Sequence, residues 1–144
     1  MAITTNAICN SFKKELLEAK HDFTATTGSK FKLAMYSNAA TLGKSTTSYT
    51  TGSEVTSPAG YTAGGKLLVN TGTSVASNVA ITDFSNLSFT NVTLTARGAL
   101  IYNTSNSNTA VAVLDFGGDK TATSGTFTIQ FPAFTTSAAI LRIS

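Results

Sequence analysis

Apolar and polar residues alternate most clearly in the last third of the chain. Ala110 to Phe116 and Thr126 to Phe131 each carry two alternating side-chain sets, the pattern of a pleated strand with two different faces. Between them, Gly117 to Gly125 reads GGDKTATSG, with glycine at both ends, where a turn can require positive φ. The pattern predicts a β-hairpin with a long loop there, flanked by a strand on either side. Upstream, Lys30 to Tyr36 alternates with Phe31, Leu33 and Met35 on one side. Lys66 to Val69 and Ala80 to Phe84 read as further strands. Leu87 and Phe89 share one parity, and Val92 and Leu94 share the other. A bulge at Thr90-Asn91 would return all four to one face. Arg97-Gly98 interrupts the next run, Ala99 to Tyr102 completes it, and Asn103 to Asn108 is a polar turn.

Only the start of the chain has helical spacing. Ile8, Cys9, Phe12, Leu16 and Ala19 recur every three or four residues, behind candidate N-cap oxygens at Thr4, Thr5 and Asn6. Lys13, Lys14, Glu15 and Glu18 fall largely off that face, and the helix should end between Lys20 and Phe23. It either covers its own domain or acts as an arm on a neighbouring subunit. The predicted architecture is a single all-β domain, an antiparallel β-sandwich of jelly-roll or immunoglobulin-like type, with one N-terminal amphipathic helix. Residues 1–23 form the helix or arm and 30–144 form the sandwich of eight or nine short strands.

Composition sharpens this picture. Only 12% of residues are charged, about half the usual share. Thr, Ser and Asn number 26, 16 and 10, so hydroxyls and amides take the place of charge. Threonine suits strand faces that are half wet. The net charge of +3 comes from dispersed basic residues, without the dense basic, aromatic-interleaved stripe of a nucleic-acid binder. No apolar run reaches the length of a membrane span. The N-terminus lacks a charged leader followed by an apolar core, so the chain is expected to be made in the cytoplasm and to stay soluble.

Candidate chemistry is sparse. Cys9 is the only cysteine and His21 the only histidine, which leaves no cysteine-rich or histidine-based metal site. His21 reads as a capping or exposed residue, and Glu15 and Glu18 as solvated charges. A buried His21 beside a carboxylate and a hydroxyl would instead favour an enzyme. Asp115 and Asp119 bracket Gly117-Gly118 but lack the further oxygen ligands of a calcium loop. Arg97 and Arg142 should pair with carboxylates such as Asp115 or Glu54. Gly60-Tyr-Thr-Ala-Gly64-Gly65-Lys66 lacks the spacing of a phosphate loop. No catalytic residue, metal or cofactor is expected, and the chain reads as a non-enzyme. The loop from Ser37 to Gly65 is long for a compact domain, and such loops are often interfacial. Within it Thr46 to Thr50 could form an edge strand, and Ser57-Pro-Ala-Gly60-Tyr61 is a turn signal.

Several of these stretches carry a resemblance. ARGALIYN (Ala96 to Asn103), AVAVLDFGGDK (Ala110 to Lys120), FTIQFP (Phe127 to Pro132), FKLAMYSNAATL, GYTAGGKLL and the opening NAICNSFKKELLEAKHDF resemble a small protein encoded beside structural genes in many tailed bacteriophages. The resemblance runs nearly end to end and carries no catalytic signature. It implies a virion structural protein, and most specifically a capsid cement or decoration protein. Such a protein would bind the major capsid protein or another virion protein as a homo-oligomer, with no nucleic acid and no membrane as partner. Phe12, Leu16, Tyr36, Tyr49 and Tyr61 are the candidate interface residues. Tyr36 and Tyr61 could equally cap the core. A tail, neck or head-fibre component and a carbohydrate- or surface-binding sandwich are the alternatives, the latter weakened by the absence of Trp.

Overall fold

A computed structural model describes residues 3–56 and 60–144. The chain is mostly β, with two antiparallel sheets packed together and one short N-terminal helix. The elements are β1 (Ala7–Ile8), α1 (Asn10–Leu17), β2 (Phe31–Tyr36), β3 (Lys66–Leu67), β4 (Asn70–Ala76), β5 (Val79–Phe84), β6 (Leu87–Asn103), β7 (Thr109–Ile129) and β8 (Leu141–Ile143). The larger sheet has the order β1-β7-β6-β2-β3, and the smaller has β4-β5-β8. No described helix is long and apolar enough to cross a membrane.

The hairpin β6–β7 is the spine of the molecule, and its turn is the polar Thr104–Asn108 segment. The hairpin expected around Gly117 to Gly125 does not exist, because that segment lies inside β7 and pairs with β6. Its glycines are sites of irregularity within a strand rather than turn ends. Gly117 sits at φ 78°, where the register shifts between Asp115 and Lys120, and a second shift falls between Ala122 and Gly125. Thr121, Thr123, Thr126 and Thr128 keep the strand going, as β-branched residues on a wet face do. The short strands expected across residues 87–102 are likewise one 17-residue strand, β6.

The bulge at Thr90-Asn91 is present. The register shifts between Phe89 and Val92, Asn91 takes φ 51°, and Leu87, Phe89, Val92 and Leu94 are all buried. The expected alternation of β2 is hidden, because Ala34 and Tyr36 are as fully buried as Phe31, Leu33 and Met35. Both faces of β2 are covered, so its composition cannot distinguish them. The polar segment Asn70–Ala76, which lies outside the strands that the pattern predicts, forms β4 and joins β5 through Ser77-Asn78. Both turn residues have positive φ (50° and 65°), the requirement of a two-residue hairpin loop.

The helix is shorter than its apolar spacing. Ala7 and Ile8 are drawn into pairing with Val113 and Ala112, so Cys9 becomes the N-cap and no side chain caps the helix. Asn6, expected as a cap, uses its Oδ1 to accept the Asp115 N–H at 2.6 Å. The helix stops at Leu17, and Ala19 turns the chain with φ 58°. Phe12 and Cys9 point into the core. An aromatic chain then ties the layers together. Phe12 meets Phe23, Phe23 stacks on Phe31 of the larger sheet at 4.7 Å, and Phe31 meets Phe84 of the smaller sheet at 5.6 Å. Such contacts add to simple area burial, so this chain is a principal seam between the sheets.

Candidate functional site

The long loop returns along β2 and delivers one carboxylate to the core. Ser37 N–H donates to the Ser53 carbonyl and Val55 N–H to that of Met35, both at 2.9 Å, which places Glu54 beside Tyr36. Glu54 accepts hydrogen bonds from the Tyr49 hydroxyl (2.6 Å), the Tyr61 hydroxyl (2.8 Å) and the Gly64 N–H (2.6 Å). The Tyr61 oxygen also accepts the Met35 N–H at 2.9 Å. Tyr102 donates to the Gly64 carbonyl, stacks on Tyr49 at 4.7 Å, and Tyr36 donates to the Thr50 carbonyl at 2.6 Å. All four tyrosines of the chain therefore converge on one buried carboxylate.

Local geometry needs the glycines in this loop. Gly65 has φ 80°, and a Cβ there would collide with the Leu33 carbonyl. The run read as a failed phosphate loop is thus a close backbone approach to β2. Burial, and then the charge of Glu54, pushes the Tyr102 hydroxyl up to about 12. Burial likewise raises Tyr36, Tyr49 and Tyr61 well above the ordinary tyrosine value. These are hydrogen-bond donors locked in the protonated form, which suits a structural latch.

A second buried polar group corrects the reading of the helix end. His21 is buried, its Nε2 lies 2.7 Å from Glu15 Oε2, and its Nδ1 lies 2.9 Å from Asn103 Nδ2. Asn103 Oδ1 is occupied by the Ser105 N–H at 2.9 Å, so its amide nitrogen must face the imidazole. Nδ1 is then an acceptor and Nε2 carries the proton, donated to Glu15. His21 and Glu15 are neither exposed nor solvated. They fold the chain after α1 back onto the β6 end, against Phe12. His21 does lie beside a carboxylate, but its second nitrogen meets an amide rather than a hydroxyl.

The remaining candidates fall elsewhere. Arg97 pairs with Asp115 at 3.3 Å, as expected, and Asp115 also accepts the Gly117 N–H. Asp119 accepts from Asn38 at 3.1 Å, and Arg142 donates to the Ser137 carbonyl at 2.8 Å rather than pairing with a carboxylate. Among the described residues no three His, Cys, Asp or Glu stand together as a metal site. Cys9 is buried, and that burial, followed by the nearby charge of Glu15, raises its thiol to about 11. Of the candidate interface residues, Phe12, Tyr36 and Tyr61 are at most 4% exposed. Leu16 and Tyr49 are partly exposed. Thr46 to Thr50 contributes one bridge, Ser48 to Thr109, on the edge of β7. Residues Ser57 to Ala59 of the expected turn lie outside the described residues.

Periodicity did not single out Glu54. The signal was its isolation, since it and Lys44 are the only charges between Ser37 and Gly65, with Tyr49 and Tyr61 on either side. A lone carboxylate in an uncharged segment needs donors, and tyrosines supply them.

The surface also carries a hydroxyl face. On the outer side of the β6–β7 ribbon, Ser88 meets Thr128 at 3.1 Å and Thr95 meets Thr121 at 2.8 Å, while Thr93 accepts the Ser124 N–H at 2.9 Å. Thr90, Thr123 and Thr126 extend the same uncharged, exposed surface. Comparison with protein-family models, curated proteins and solved structures finds no match for the chain.

Proposed function

We propose that this chain is a non-enzymatic virion structural protein of the tailed-bacteriophage kind, and specifically a capsid cement or decoration protein that binds and stabilises the major capsid lattice. In this reading the two packed sheets form a β-sandwich of jelly-roll or immunoglobulin-like type, and the protein acts as a homo-oligomer within the virion. The observation that carries the proposal is the hydroxyl face of β6–β7. It is neutral, backed by a buried apolar face, and rich in donors and acceptors, which suits a broad, wet contact with a repeated surface. The nearly end-to-end sequence resemblance supports the same reading. So does the internal use of Glu54 and His21, whose polar atoms hold the fold.

The test mixes purified protein with capsid shells that lack it and follows co-sedimentation and thermal resistance of the shells. Saturable binding at a fixed ratio to capsid protein, with more heat-resistant shells, is the expected result. No binding to shells would overturn the cement role and move the search to tail or neck assemblies.

A further inference from the structure

Two strand edges lie open beside the same cavity. The outer edge of β7 is paired by β1 at Ala112–Val113 and bridged by Ser48 at Thr109. From Phe116 to Ile129 no strand of the described chain pairs with it. In the smaller sheet, β8 has β5 on one side and no described strand on the other. A cavity of about 810 Å³ lies between these edges, and the six consecutive residues Thr126 to Phe131 line one wall. Phe116, Phe127, Ile129, Phe131 and Ile140 make it apolar. Lys120 and Arg142 stand on its lining as exposed cations that form no ion pair among the described residues. Asp115, on the same wall, is already paired with Arg97.

An open edge presents backbone donors and acceptors in series, and only an extended chain can satisfy them in series. We propose that this cavity is the acceptor site for an extended segment of another protein. The segment adds as a strand to β7 beyond β1, places alternate apolar side chains in the cavity, and turns an acidic residue to Lys120 and Arg142. Strand addition draws affinity from main-chain bonds and specificity from such alternate pockets. The molecule already covers this edge in the same manner upstream, where β1 pairs and the Cys9 N–H reaches the Val111 carbonyl at 3.0 Å. A second copy could offer only an open strand edge of its own, such as that of β7 or β8, and Asp115, the one carboxylate on this cavity's lining, is already paired with Arg97. Every described strand already lies in a sheet, Ile3 is fully buried, and Ala7–Ile8 are in use on this edge. No proline guards the edge between Phe116 and Ile129. The inference stands on this geometry and does not require the virion reading.

The test is fluorescence anisotropy with a panel of labelled peptides of roughly nine residues, enough to run along the edge. Each alternates Val, Leu or Phe with Thr and Glu, and each has a control with a central proline. Alternating peptides should bind saturably, at least about tenfold tighter than their controls, and amide exchange should slow at Thr126 to Ile129. Lys120→Glu, at an exposed position, should weaken binding at least about fivefold. Ala122→Trp, at a partly buried position on the cavity lining, should abolish it by filling the cavity. Thermal melting checks that both variants fold. Binding no tighter than the proline controls, exchange slowed only elsewhere, or variants that bind like the wild type would overturn the proposal. So would self-association of the chain alone that protects these amides, which would assign the edge to a second copy. Peptide binding without shell binding overturns only the cement reading. Shell binding without peptide binding overturns only this inference.

Discussion

The two halves of the β6–β7 ribbon are made by the same two strands and live in different surroundings. Near the turn, Gly98 to Asn103 of β6 lies between β2 and β7, and Ala110 to Val113 of β7 is covered by β1. All ten of these residues are buried. In the far half, from Leu87 to Ala96 and Lys120 to Ile129, the two strands are each other's only sheet partners among the described residues, with one face inward and the other a row of hydroxyls. Two of the four register shifts fall there, one falls at the junction of the halves, and one falls at Ile101/Tyr102 in the anchored half. Neighbouring strands, rather than pairing within the ribbon, decide where the sheet is core and where it is surface. The anchored half holds the molecule together, and the far half is available for contact.

The comparison breaks most visibly if core deletion costs the same in both halves. Leu100→Ala, at a fully buried site, should lose about 3 kcal/mol in denaturant unfolding. Next in size is Glu54→Ala, which leaves two tyrosine hydroxyls and the Gly64 N–H without their acceptor. It should cost about 2 kcal/mol and loosen the Ser37–Gly65 loop, measured by melting and by proteolysis. The same cluster sets an alkaline limit. Its tyrosines hold their protons more tightly when folded, so stability is intact below the ordinary tyrosine value of about 10 and falls as pH rises beyond it. Tyrosinate absorbance should therefore appear together with loss of the folded circular-dichroism signal, and not before it.

A smaller effect, of opposite sign, belongs to the second sheet. Asp83 is buried, and burial raises its carboxyl above the ordinary range, against the Phe84 and Ile140 N–H groups that favour the charge. Ionisation then opposes folding above the ordinary carboxylate value. Asp83→Asn should stabilise by about 1 kcal/mol at neutral pH, with the gain vanishing as pH falls below about 4, where the carboxyl is protonated in both states. Smallest of all, Thr95→Ala on the hydroxyl face should change stability by less than about 0.5 kcal/mol. If Thr95→Ala cost as much as Leu100→Ala, the far half would be core and its role as a contact surface would be lost.

In the far half the sequence disclosed β6 better than β7, whose Gly117 to Gly125 segment reads as a loop. Strict alternation and the parity change at Thr90-Asn91 disclosed both the inward face and the bulge, because one side of that ribbon is wet. Where both faces are buried, as in β2 and Gly98 to Asn103, alternation disappears and only apolar content remains. Gly117 and Gly125 misled for a related reason, since a glycine that kinks a long strand has the same local signature as one that ends it. The site was less legible still. The tyrosines were visible as aromatics in a loop, but their convergence on Glu54 depends on the loop doubling back along β2, a contact with no periodic signal. His21 was read as a helix-end residue, but the helix stops at Leu17, and the burial of His21 depends on Asn103, which lies 82 positions away.

The most direct test of the division is native-state hydrogen exchange along β6 and β7. Amides from Gly98 to Asn103 and Ala110 to Val113 should exchange only through global unfolding, whereas those from Thr90 to Thr95 and Thr121 to Thr126 should exchange through local opening at much lower free energy. Uniform protection along both strands would contradict the account, because it would mean that the ribbon opens as one unit and has no separately available half.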